Sequence, residues 1–250
     1  MHVDPIQALQ AGQRPAAAPA GSRAEVLVAG ATGVLGAEVL QRLLAARAFG
    51  TVRVLAREPI RAGLRGVASQ LVPSDTPQDW PALAGADRTG IVLFEPPRLF
   101  NDRERALWAP QPLQLPALAR WMRGSGVATL AVVLPHDQGR LPQALQRGLA
   151  SLDEHAVAAL GFERLIVIRS ARKPPEARLA ALPALARWML SITRYMVPGS
   201  EQPVRAAKVA ELLAVALATA PPGIHIAAPE TVWRAAQGEL QAVARQWLIA

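Results

Sequence analysis

Glycines stand at Gly30, Gly33 and Gly36, directly after an apolar run, in V-L-V-A-G-A-T-G-V-L-G from Val26 to Gly36. This spacing suits a backbone that turns sharply and brings its amide groups close to phosphate oxygens, because glycine tolerates positive φ and carries no Cβ. A helix starting near Val34 would turn its unpaired N–H groups, and the positive end of its dipole, on the same anion. Strand, glycine loop and helix in that order are what holding a dinucleotide pyrophosphate requires. Arg57 ends the next apolar run and Glu58 follows it. A guanidinium there can grip a ribose 2′-phosphate through charge-assisted bonds, where an acid would take two ribose hydroxyls instead. The pattern favours NADP(H) over NAD(H); the plainer reading of Arg57 is a solvated turn residue.

Other reactive side chains are sparse. The chain has no cysteine, which excludes disulfides, thiolate metal sites and a cysteine nucleophile. No Ser-His-Asp order with a nucleophile elbow occurs, and metal-ligand spacings are missing. Asp153, Glu154 and His155 are consecutive on a helical pattern, so they fan outward and cannot converge on one ion.

The elements that would position the glycine loop can be read from the alternation of apolar runs and helical patterns. Strands are expected at Glu25–Ala29, Thr51–Ala56, Ser69–Val72, Gly90–Phe94, Thr129–Leu134, Arg164–Ile168 and Ile224–Ala227, with helices at Leu35–Ala46, Leu113–Gly124, Pro142–Leu160 and Arg205–Thr219. Repeated strand–helix–strand units with short links predict an α/β fold, a doubly wound parallel sheet with helices on both faces and ligands at the carboxyl ends of its strands. Residues 1–23 are Ala/Pro/Gly-rich and read as a flexible tail; residues 24–250 read as one domain. Residues 172–203 interrupt the alternation with an apolar helical stretch, expected to cap the substrate side. The core must rest on aliphatic side chains, since hydrophobic residues make up 51% of the chain and aromatics only 4%.

The net charge of +8 is almost wholly arginine, as Lys173 and Lys208 are the only lysines. These arginines are scattered, without runs or aromatic interleaving, and read as compositional bias rather than a nucleic-acid surface. No stretch approaches the roughly 20 apolar residues that span a bilayer. The start, M-H-V-D-P-I-Q, lacks a signal pattern, so the cytoplasm is the expected location.

With these residues in view, the chain resembles the short-chain dehydrogenase/reductase superfamily, in its extended or atypical divisions, nearest the Tat-interacting-protein-like oxidoreductases. Gly30-Ala31-Thr32-Gly33-Val34-Leu35-Gly36 is similar to the family's G-A-T-G-x-x-G loop. V-P-S-D-T-P-Q-D-W after the second strand, Leu160-Gly161-Phe162 leading to V-I-R-S, and the segment from Pro203 to Ala210 match later family patterns in the right order. The resemblance implies an NAD(P)-binding Rossmann fold over roughly residues 24–230. It makes Gly30, Thr32, Gly33, Val34, Leu35 and Gly36 the phosphate loop, and it sets Asp75 beside the adenine, where the residue reads equally well as a turn or cap. Family members often pair through surface helices, which allows a homodimer. A small apolar substrate or a protein partner would suit the apolar 172–203 stretch.

The family's catalytic pair is missing. A Tyr-x-x-x-Lys pair on the helix after the fifth strand passes the proton that accompanies hydride transfer. Gln146 and Ala150 fall in those places, Tyr195 is the only tyrosine, and neither lysine lies on that helix. His136, beside Asp137 after the fifth strand, is the one candidate replacement, because histidine titrates near neutral pH and could protonate a carbonyl. Glu95, in F-E-P-P-R after the fourth strand, has no account, since a carboxylate near phosphates opposes their charge unless it pairs with Arg98 or faces away. The reading is an NADP(H)-binding protein acting as a sensor or interaction module. The alternative is an NADPH-dependent oxidoreductase with a non-standard proton donor.

Overall fold

The computed structural model describes residues 24–46, 48–60, 66–84, 88–95, 97, 102–134, 152–169 and 204–249. Seven strands form one sheet: β1 (Glu25–Ala29), β2 (Thr51–Ala56), β3 (Val67–Leu71), β4 (Arg88–Leu93), β5 (Val127–Leu134), β6 (Arg164–Arg169) and β7 (Gly223–Ala227). Their order is β3-β2-β1-β4-β5-β6-β7, and every neighbouring pair is parallel. The order reverses between β1 and β4, which opens a crevice at their carboxyl ends. This is a Rossmann fold.

Helices lie in chain order as α1 (Gly33–Ala46), a single turn α2 (Asp102–Arg105), α3 (Leu115–Gly124), α4 (Leu152–Ala158), α5 (Ala206–Thr219), α6 (Pro229–Gln237) and α7 (Leu240–Ile249). The period of two along β1 divides the core. Val26 and Val28 join the layer that holds α1, α5, α6 and α7, while Leu27 and Ala29 join the layer under α3 and α4. Each buried aliphatic side chain contributes roughly 1.5–3 kcal/mol relative to exposure, so the two layers fix the loops between them. The expected strands all occur, β1 and β2 with the same bounds. The expected Leu113–Gly124 helix begins with a 3-10 turn at Pro112–Gln114, and α2, α6 and α7 are additional. The tail, most of the Pro142–Leu160 helix and the 172–203 segment lie outside the described residues.

The amino ends of the strands are stapled by charge. Glu25 accepts Nε of Arg88 and NH2 of Arg53, each at 3.0 Å, and Arg88, only 5% exposed, also donates to the carbonyl oxygens of Ser125 and Ala84. The hydrogen bond from Arg88, with that of Arg53, outweighs desolvation and holds the Glu25 carboxyl below its ordinary pKa. A depressed carboxyl pKa adds stability above the unfolded value, near pH 4, and loses it as pH falls through the folded value. Glu25→Gln is therefore expected to lower stability at pH 7, with the gap to wild type closing as the pH drops below about 4. Urea unfolding at a series of pH values measures it, and a gap that stays constant into acid would refute it.

Candidate dinucleotide site

The crevice is built from three stretches. The first is the turn from β1 into α1. Gly30 and Gly33 both have positive φ, +74° and +70°, so the chain reverses within four residues of the strand end. Gly36 is needed for close approach: a Cβ there would come within 2.4 Å of the Ala31 carbonyl carbon. Gly36 N–H closes the first helical turn on Thr32 O at 3.1 Å.

The second stretch follows β4. Thr32, fully buried, donates its hydroxyl proton to the backbone oxygen of Glu95, which pins this segment against the loop. The Glu95 side chain turns onto the helix start, where its Oε2 accepts the Leu35 N–H at 2.5 Å. Glu95 therefore does not face away, since its side chain meets the positive end of α1; Arg98 lies outside the described residues.

The third stretch is 104–110. Glu104, 6% exposed, accepts the Gly33 N–H through Oε2 at 2.9 Å. Trp108 then laces the ends of β1 and β2: its oxygen accepts the Gly30 N–H at 3.2 Å and its N–H donates to Leu55 O at 2.9 Å. Ala106 O accepts the Arg57 N–H at 2.8 Å. The Trp108 indole is fully buried, and Trp80 packs edge-on against both Trp108 and Trp121 at centroid distances of 4.8 and 5.0 Å.

Arg57 and Asp75, read separately from the sequence, come together. Nε and NH2 of Arg57 both donate to Asp75 Oδ1, at 2.9 and 2.8 Å, with side chains 50% and 67% exposed. Gln114 holds the backbone oxygen of Asp75 at 2.8 Å. Val34 is half-exposed at the second position of α1. His136 lies outside the described residues, as do Asp137, Gln146, Ala150 and Tyr195. Among the described residues, no group of three or more His, Cys, Asp or Glu could hold a metal ion, and no helix is long and apolar enough to cross a membrane.

No known family model matches the chain, and no curated protein matches its sequence. Solved structures similar to it are Rossmann-fold NAD(P)-binding proteins. Citrobacter sp. triphenylmethane reductase complexed with NADP(H) is 18% identical, with 80% of this chain and 68% of that one covered and a TM-score of 0.47. A nucleoside-diphosphate-sugar epimerase from Staphylococcus aureus is 12% identical over 86% and 78% of the two chains, with a TM-score of 0.47. Yeast methylglyoxal/isovaleraldehyde reductase complexed with NADPH is 11% identical over 82% and 78%, with a TM-score of 0.41. What each of these binds or transforms is that protein's own.

The donor set in the crevice suits an anionic oxygen, because two amides at the start of α1 each hold one already. Those oxygens belong to carboxylates of the chain itself. The start of α1 is thus satisfied by two acids from distant parts of the chain. Sequence reasoning singled out Glu95 without a role and passed over Glu104 and Trp108. Their roles follow from contacts 60 to 71 residues apart for the two acids, which no local pattern encodes.

Proposed function

We propose that the chain is an NADP(H)-binding Rossmann protein that acts as a redox sensor or interaction module, without the family's usual proton relay. Gly30, Thr32, Gly33, Val34, Leu35 and Gly36 form its phosphate loop, Arg57 takes the 2′-phosphate and Asp75 lines the adenine side. The observation that carries the reading is the pair of α1 amides, Gly33 and Leu35, each engaging an anionic oxygen at the crevice between β1 and β4. Backbone donors at a helix start, aimed at a switch-point crevice, are the physical basis of pyrophosphate binding.

A nicotinamide dinucleotide supplies hydride chemistry when bound, and reduction of a carbonyl also needs a proton donor. The sequence holds no Tyr-x-x-x-Lys pair, since Tyr195 has no lysine four residues on, which favours binding without turnover. The Arg57–Asp75 pair is exposed on both sides and so holds the guanidinium only weakly. A 2′-phosphate, with more charge than one carboxylate, can take its place.

Isothermal titration with NADPH and NADH tests the reading. NADPH is expected to bind more tightly. A charge-assisted hydrogen bond is worth about 1.5–3 kcal/mol, so Arg57→Ala should weaken NADPH roughly ten- to hundred-fold and leave NADH unchanged. No binding of either nucleotide would overturn the assignment. NADPH oxidation with a carbonyl or quinone, abolished by Arg57→Glu, would overturn the non-catalytic half.

A further inference from the structure

Glu95 lies over the start of α1. Its Oε2 lies 2.5 Å from the Leu35 nitrogen, and the side chain also takes up the space over the glycine turn. A Cβ built on Gly33 would come within 2.4 Å of Glu95 Cδ and 2.6 Å of Oε2. An anion approaching α1 therefore meets a donor already engaged, a volume already filled and a charge of its own sign.

Resting on the dinucleotide reading above, we propose that Glu95 is an intramolecular competitor for the phosphate loop, closing it until a phosphate-bearing dinucleotide displaces the carboxylate. The two acids at the helix start have different parts. Glu104 is 6% exposed and belongs to the buried support of the turn. Glu95 is only partly buried and is anchored through its main chain, whose oxygen Thr32 holds. Rotation about its side-chain torsions vacates the Leu35 N–H without moving the backbone. The carboxylate satisfies that amide and the helix dipole in the ligand-free protein. Binding exchanges one anion for another, so the apparent affinity is the intrinsic one divided by the cost of expelling Glu95.

The test compares NADPH titrations of wild type, Glu95→Ala and Glu95→Gln, with circular dichroism to establish that each is folded. Glu95→Ala clears the donor, the volume and the charge, and should bind NADPH at least about ten-fold more tightly; Glu95→Gln keeps the shape without the charge and should fall between. Binding by Glu95→Ala where wild type shows none would make Glu95 a permanent block and overturn its displacement by the dinucleotide. A wild type that binds NADPH with a Glu95→Ala affinity no tighter overturns the competition and leaves the dinucleotide reading standing. Folded wild type and variants that all fail to bind overturn both. Should Glu95→Ala not fold, Glu95→Gln decides alone: tighter than wild type supports the competition, equal or weaker overturns it. A purely structural cap would lower stability in either variant without tightening NADPH.

Discussion

Gly30→Ala is expected to destabilise the protein by about 2–5 kcal/mol, through a single methyl group. Two causes act together. The backbone at Gly30 has φ +74°, which costs an L-residue with a Cβ roughly 1–2 kcal/mol. The new Cβ would also lie 2.0 Å from the Leu93 carbonyl oxygen and 2.9 Å from Pro110 Cδ. Leu93 ends β4, which pairs with β1 on one side and β5 on the other, so its carbonyl is held in the centre of the sheet and cannot retreat. Overpacking against such a neighbour adds about 1–3 kcal/mol. Gly124→Ala is the control: its Cβ meets nothing within 4 Å, and α3 ends there. It should shift stability by less than about 1 kcal/mol. Urea unfolding measures both, and a Gly30→Ala loss no larger than that of the control would refute the steric account.

The second large effect is expected at the carboxyl end of β6. Arg169, the last residue of β6, donates from NH2 to Glu154 Oε2 of α4 at 2.7 Å, and the two side chains are 6% and 7% exposed. Breaking a contact between two charged groups this buried is expected to cost about 3–5 kcal/mol. Arg169→Met and Glu154→Gln should each approach that range. The double variant should lose less than the two single losses added together, because the contact the two side chains share is then lost only once. A double-mutant cycle by denaturant unfolding reads the coupling directly. Additive losses would mean that the two side chains act independently despite their contact.

Glu154 also illustrates why local pattern and tertiary role diverge. In the sequence it sits between Asp153 and His155 as an apparent acidic cluster, and helical geometry rules out convergence with them. Its actual partner comes from a strand 15 residues on, and the burial of both ends is what makes the contact matter. The C-terminal helices α6 and α7 likewise take their role from tertiary packing. Their buried positions are few, Val232 and Ala235 in one, Leu240, Ala244 and Leu248 in the other. Short helices of this kind owe their stability to packing on a neighbour more than to propensity, and here both pack on α5.

The sequence by itself determined the parallel sheet and the cradle. Apolar runs of five or six residues bounded by glycine or polar turns have one economical solution when helices alternate with them, and β1 and β2 fall on their expected bounds. Gly30, Gly33 and Gly36 are legible because only glycine supports those turns and contacts, so residue type and conformation are tied one to one. That Tyr195, the single tyrosine, has no lysine four residues on is legible too, since it is read directly from residue order. Tertiary structure alone decided what the cradle holds. Arg57 and Asp75, 18 residues apart, meet each other, and the α1 amides meet Glu104 and Glu95 from 71 and 60 residues away. A helix start must satisfy its unpaired N–H groups with some acceptor. Which acceptor it finds depends on what the sheet order folds against it, and in this chain the order brings the carboxylates of Glu95 and Glu104 there.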